Sequence, residues 1–381
     1  MIKKVLSYPG FLLGKLIKTK LFETVSSNPL LATLTLVMLV VFWSFPSYDV
    51  AYVTHEMDAN WAAIFLQARE PFTDHSNLYS IYNHASKLAF RFVPALFLNI
   101  LHIKTVTQAL IFQFFTLILF YYLLITLFNK LFKDHVKAFV YALPICFVMA
   151  GHVYTIDYKG VFDTLALDFL LLSFLLRKKV YVVIPLLLAY FCDERALTAA
   201  PAFFLANICE ENTYENLKSI LNGFKLPSNV YLFSSWAVYF MMRFYLAFRF
   251  GLKIKSGGTS LFFEQINQTF HTIAVGLEGF LIPFAFIVRD LYRKKVFVFS
   301  ALLIFSFFIV VYIAQSVIDT SRSMSYVILI LILILVLMDR LYSRETSFEI
   351  IALVTVINIL YLDCYPLLAQ LYRMRFITHS I

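Results

Sequence analysis

The chain has 381 residues, of which 61% are hydrophobic and only 14% charged. That balance excludes a water-soluble enzyme or binding module, because no polar stretch is long enough to cover a separate core. The formal net charge of +9 would suggest nucleic acid in a soluble protein. Here it is expected in cytoplasmic loops beside anionic lipid, with membrane lipids and no nucleic acid as partners.

The expected fold is therefore all-α: a polytopic membrane helical bundle in one integral membrane domain covering residues 1–381. Cys146, Cys192, Cys209 and Cys364 lie in apolar segments at no metal-like spacing. They read as small core residues and not as a disulfide framework or zinc site.

Residues 1–28 carry Lys3, Lys4, Lys15, Lys18 and Lys20. After a break at Pro9-Gly10, the apolar Leu12, Leu13, Leu16, Ile17 and Leu21 recur near helical spacing. This predicts a basic amphipathic helix on the cytoplasmic leaflet, without the small-residue cleavage site of a signal peptide. A first span follows from Pro29 to Phe45, ended by Pro46.

Residues 47–105 form an extended first outer loop with an amphipathic helix near Trp61–Arg69. The apolar run Leu88–Ile103 is interrupted by Arg91 and Pro94. It is assigned to an interfacial helix, because omitting it from the crossings puts every Lys/Arg-dense turn on the side of the N-terminus. The remaining spans are then 106–128, 138–155, 163–176, 180–192, 196–208, 229–248, 271–288, 296–316, 324–338 and 348–365. With the first, about eleven transmembrane helices are expected, the N-terminus inside.

The middle of the chain is the most unusual stretch. Between Gly151 and Cys209 the apolar sequence is divided by Arg177-Lys178-Lys179 and then by Asp193-Glu194-Arg195. Each piece holds about 13 residues and rises about 20 Å, short of the roughly 30 Å hydrocarbon core. Such helices persist inside a larger bundle, where a charged turn can face a wet cavity. This region is read as one wall of a membrane-embedded site.

Three sets of residues carry candidate chemistry. In the first loop, Asp49, His55, Glu56 and Asp58 offer a carboxylate as general base or as a ligand for a divalent cation. An ordinary solvated loop with a helix cap at Asp58 is the plainer alternative. His55, His75 and His84 form no recognised zinc spacing.

The second set is Asp157, Lys159, Asp163, Asp168 and Asp193-Glu194-Arg195, at the outer rim of the short helices. Asp168 falls inside its span and needs a pair, a hydrogen bond or water. A purely structural set joining Arg195 to Asp193, Asp163 or Asp168 stands beside the substrate-binding reading. The third set is the outer cations Arg91, Arg243, Arg249, Lys253, Lys255, Arg322, Arg373 and Arg375. They suit either a lipid phosphate or simple snorkelling to headgroups. Glu278, beside Gly279, could pair with Arg243 or sit at a kink.

These motifs resemble the GT-C superfamily of polytopic glycosyltransferases. The residues that carry the likeness are HEMDANWAAIFLQAREPF in the first loop, then GVFDTLALDFLLLSFLLRKK, then DERALTAAPAFF. The likeness covers about residues 30–209. It departs from the family at Asp193-Glu194-Arg195, where a lysine- or histidine-led pair is more usual, and in lacking a large C-terminal soluble domain.

The resemblance implies transfer of a sugar from a polyprenyl-phosphate-linked donor to an acceptor on the periplasmic or lumenal side. It assigns Asp58 or Glu56, with Asp49 as competitor, to catalysis. Asp163, Asp168, Asp193, Glu194, Arg195, Arg249, Lys253, Lys255 and Arg322 are then expected at the substrate. No cofactor is required beyond an optional divalent cation. The expected location is a multi-pass membrane position, a bacterial inner membrane ahead of the endoplasmic reticulum. A transporter or flippase of lipid-linked saccharides and a non-catalytic scaffold subunit remain the alternatives.

Overall fold

The computed structural model describes residues 2–44, 48, 58–75, 88–157, 162–211, 216–253, 258–317 and 320–361. Among them the regular structure is entirely helical, without a strand. The N-terminal part comprises α1 (Ile2–Ile17), α2 (Lys20–Ser27), α3 (Pro29–Ser44), α4 (Asp58–Arg69), α5 (Phe92–Ile100) and α6 (Val106–Phe132). The middle comprises α7 (His135–Ala142), α8 (Met149–Ile156), α9 (Asp163–Leu176), α10 (Val183–Cys192), α11 (Ala200–Glu210), α12 (Leu217–Gly223) and α13 (Pro227–Phe250). The rest comprises α14 (Gly258–Gln265), α15 (Thr269–Leu277), α16 (Leu281–Arg293), α17 (Phe297–Gln315), α18 (Thr320–Ser323), α19 (Ile328–Leu341) and α20 (Arg344–Leu360).

Among the described residues, four helical stretches are long and apolar enough to cross a membrane: Val106–Phe132, Phe262–Arg293, Phe297–Gln315 and Met324–Leu341. The number rises to six if two bent pairs, α2 with α3 and α7 with α8, each count as one span. The short helices of the middle appear as expected, at Thr164–Leu176 and Val180–Cys192. The run that was set aside as interfacial holds a helix of only 9 residues, Phe92–Ile100. At about 1.5 Å per residue that helix cannot cross the hydrocarbon.

The bundle is built around α19. Its sequence ILILILILVL is apolar on every side, and each residue from Ile328 to Leu335 is fully buried. A helix that is hydrophobic all round must be enclosed by other helices. It packs with α11, α16, α17 and α20. On the other flank α6 packs with α3, α7 and α9, and α10 packs with α9 and α13.

At the N-terminus the structure corrects the expected break at Pro9-Gly10, because α1 runs through Pro9 without interruption. A proline inside a helix costs a hydrogen bond and some strain. Here tertiary packing outweighs it: α1 lies on α20, so close at Gly10 that an added Cβ would sit 2.9 Å from Glu349 Cγ. The next helix, α2, meets α3 at 105°, as for a helix lying along a surface before the chain turns inward.

Two helices are broken inside the bundle, and the breaks meet. Between α7 and α8 the axis turns by 57° around Val148. Pro144 lies in the short 3-10 turn before it. Gly151 permits the tight return, since a Cβ there would lie 1.8 Å from the Ile145 carbonyl oxygen.

The second break falls at Glu278, which takes the left-handed φ of 46° between α15 and α16. Its Oε1 accepts a hydrogen bond from the Met149 N–H at 3.2 Å, capping the start of α8. Asn358 bridges the two breaks, accepting from the Gly279 N–H at 2.7 Å and donating to the Pro144 carbonyl at 3.0 Å. Glu278 therefore belongs to the kink and not to Arg243.

Candidate functional site

The second charged divider forms a 3-10 turn, Glu194–Ala199, between α10 and α11. Asp193 caps this turn: its Oδ1 accepts from the Arg195 N–H at 2.8 Å. The same carboxylate also receives the Arg195 side chain, with Nε at 2.9 Å and 3.0 Å from its two oxygens and Nη2 on Oδ2. A carboxylate that is fully buried needs several such donors, since burying an ion costs several kcal/mol in real proteins.

A second guanidinium completes the set. Arg91, at the start of α5, places Nη1 3.0 Å from Asp193 Oδ2 and Nη2 3.1 Å from Glu194 Oε1. Arg195 reaches on through Nη1 to the Ser323 hydroxyl, and its guanidinium lies 5.5 Å from the Tyr326 ring centroid. Beside Ser323, Arg322 pairs with Asp157 at 3.0 Å.

Asp157 ends α8, and Gln113 on α6 holds it from behind by donating to the carbonyls of Tyr154 and Asp157. Tyr48 donates to the same Tyr154 carbonyl at 2.6 Å. Among the described residues, three guanidinium groups (Arg91, Arg195, Arg322) thus face three carboxylates (Asp157, Asp193, Glu194) in one network.

Asp168 forms a spur of this network. It is buried in α9, and its Oδ1 accepts from the Tyr154 hydroxyl at 2.9 Å. The sequence reading required a pair, a hydrogen bond or water for this residue, and a tyrosine supplies the hydrogen bond.

Glu194 differs from its neighbours. Asp157 and Asp193 are closed off, whereas the Glu194 side chain keeps 29% of its surface exposed. Of the three ion-paired carboxylates of the network it is the most exposed, and Arg91 holds its charge in place. Chemically, a carboxylate fixed by a guanidinium at a solvent edge can accept a hydrogen bond from a hydroxyl. A cluster of oriented guanidinium groups can balance an incoming anion.

The other expected site residues divide as follows. Asp49, Glu56 and Lys255 lie outside the described residues. Asp58 opens α4 and Asp163 opens α9, but their side chains are likewise outside the description. Their helices are neighbours: Trp61, one turn after Asp58, has its ring 6.1 Å from that of Phe162, which precedes Asp163.

Arg249 and Lys253 are exposed at the end of α13 and just beyond, with no ion-pair partner among the described residues. Asp193, Glu194, Arg195 and Arg322 are brought together as one cluster, with Asp168 joined through Tyr154. No group of three or more His, Cys, Asp or Glu side chains with metal-binding proximity occurs among the described residues.

Sequence reasoning grouped Asp157 with Asp193-Glu194-Arg195 but left Arg91 outside that set. It missed Gln113, Tyr154, Ser323 and Tyr326. The available signal was that Arg91 interrupts an apolar run, where a cation needs a partner.

Comparison with family models, curated proteins and solved structures finds no match to this chain. The described fold and site define a class: an all-helical bundle with membrane-length helices and a buried network of arginines and carboxylates.

Proposed function

We propose that the protein is a membrane glycosyltransferase of the GT-C kind, with about eleven crossings, located in a cell-envelope membrane such as the bacterial inner membrane. It moves a sugar from a polyprenyl-phosphate-linked donor to an acceptor on the outer face. The observation that carries this reading is the meeting of Arg91, Asp193, Glu194 and Arg195 where the short helices end, with Glu194 the most exposed of them. Short helices leave room for a headgroup below the membrane surface, and the arginine cluster suits the negative charge that a departing lipid phosphate develops. The helix opened by Asp58 stands beside the one opened by Asp163. This supports Asp58 as the base that takes the acceptor proton.

The test uses the full chain in proteoliposomes with a panel of polyprenyl-phosphate sugars. Sugar transfer is expected from wild type. In Asp58→Asn, transfer is expected to fall at least about a hundredfold, the range a general base contributes, with donor binding kept. Unchanged transfer in Asp58→Asn removes that residue from the mechanism, and no transfer from any donor removes the reaction.

A transporter of lipid-linked saccharides is the second reading, favoured by the two broken helices that meet at Glu278. It predicts movement of an intact labelled lipid-linked saccharide between leaflets in the same vesicles, without product formation.

A further inference from the structure

One cation near the network has no described role. Arg243 lies on α13, half-buried. Its guanidinium sits 4.5 Å from the centroid of the Phe90 ring, and Nη1 donates to the Tyr239 hydroxyl at 2.7 Å. Both contacts tie it to the site: Phe90 precedes Arg91, and buried Tyr239 packs at 4.9 Å on Phe191, two residues before Asp193. Yet no carboxylate among the described residues lies within ion-pair distance of Arg243. The carboxylates of the neighbouring network are engaged by Arg91, Arg195 and Arg322 and none of them reaches Arg243.

The surroundings make that charge expensive. Phe240, Phe244, Tyr245 and Phe248 on the same helix are exposed, so this flank of α13 faces lipid when the helix crosses. Arg243 stands seven residues before the helix end at Phe250, about 10 Å along the axis. A cation at such depth finds an anion or a water-filled path to one. Its geometry is already prepared for an anion. A guanidinium has five N–H donors, one is spent on Tyr239, and stacking on Phe90 fixes the plane of the rest. A planar fork held this way matches two oxygens of one phosphate.

We propose that Arg243 binds a phosphate group at the outer edge of the charged network, with Phe90 and Tyr239 as the residues that position it. The phosphate comes from a lipid headgroup or from a free phosphate compound. The inference needs α13, an expected span that is not among the four long apolar stretches, to cross the membrane; it does not need sugar transfer, so it stands or falls separately from the enzymatic reading.

The experiment is native mass spectrometry of the full chain in detergent, titrated with dioleoyl phosphatidic acid. Dioleoylglycerol, with the same tails and no phosphate, serves as the comparison lipid. Wild type is expected to retain phosphatidic acid and not dioleoylglycerol. Arg243→Gln is expected to weaken phosphatidic acid binding at least about tenfold, as loss of charge-assisted hydrogen bonds does. Arg249→Gln, at the exposed end of the same helix, should stay within about twofold, as for a snorkelling surface charge.

Arg243→Lys keeps the charge without the fork and should bind several-fold more weakly than wild type. It decides the question if Arg243→Gln does not fold. Displacement of phosphatidic acid by inorganic phosphate assigns the site to free phosphate compounds, and failure to displace assigns it to lipid headgroups. Wild-type affinity in both Arg243 variants, equal loss in Arg249→Gln, or equal retention of dioleoylglycerol overturns the proposal.

Discussion

The two charged turns that flank α10 (Val183–Cys192), Arg177-Lys178-Lys179 and Asp193-Glu194-Arg195, both pair guanidinium with carboxylate and have opposite fates. At one end Arg177 donates Nε to Glu210 at 2.9 Å and Nη1 to the Phe174 carbonyl at 2.7 Å, while its guanidinium lies 4.3 Å from the Phe174 ring. Lys178 reaches Glu210 at 3.2 Å and Glu211 at 3.0 Å, with 55% of its side chain exposed. Every acidic partner named there comes from the end of α11, and all of the set but the buried Arg177 is partly exposed. At the other end Asp193, Glu194 and Arg195 draw partners from the start of α5 and from α18, where Arg322 carries the set on to Asp157 at the end of α8. The same kinds of side chain make a screened rim in one place and a desolvated interior in the other. A rim needs only local neighbours, whereas a buried network needs distant segments to arrive together.

The difference can be broken at its strongest point. Asp193→Asn leaves Arg91 and Arg195 without their shared carboxylate, and is expected to cost about 3–5 kcal/mol, as for breaking a buried pair. Denaturant unfolding in bicelles measures it. Replacing all three residues with apolar ones of similar size should recover most of the loss. A smaller effect is expected across Arg322 and Asp157. Arg322→Gln and Asp157→Asn in a double-mutant cycle should show a coupling of about 1–3 kcal/mol, and raised salt should leave it nearly unchanged because the pair is buried.

The rim should respond weakly and differently. Lys178→Gln is expected to cost less than about 1 kcal/mol, and added salt should shrink that cost because Lys178 is 55% exposed. The smallest effect is one of pH. Burial pushes the Glu210 carboxyl up, but Arg177 and Lys178 more than reverse this and hold it below its ordinary 4.5. A folded-state value below the unfolded one stabilises the protein above the unfolded value. That contribution is lost as pH falls below 4.5 and through the depressed folded value. Unfolding measured from pH 6 downward should therefore show an acid-sensitive increment in wild type that Arg177→Gln reduces.

The site was legible in its parts before it was legible as a whole. Asp193-Glu194-Arg195 stands out because charge interrupts an apolar run at the limit of a short helix, and Asp168 because a carboxyl inside a span needs a partner. Nothing local identifies that partner as Tyr154, since tyrosines are spread along the whole chain. Arg91 looked like one of eight outer cations, because a sequence shows that a charge needs compensation and not which of many carboxylates provides it.

The sequence by itself determined the helical class, the short helices of the middle and the position of each charged divider. These follow from hydrophobic run length and from the cost of charge in apolar surroundings, both properties of contiguous residues. The tertiary structure alone decided that α1 continues through Pro9, that two helix breaks lock together through Asn358, and that three arginines meet three carboxylates. Those outcomes depend largely on contacts between residues far apart in the sequence. Their energies exist only once the chain has brought the partners within a few ångströms.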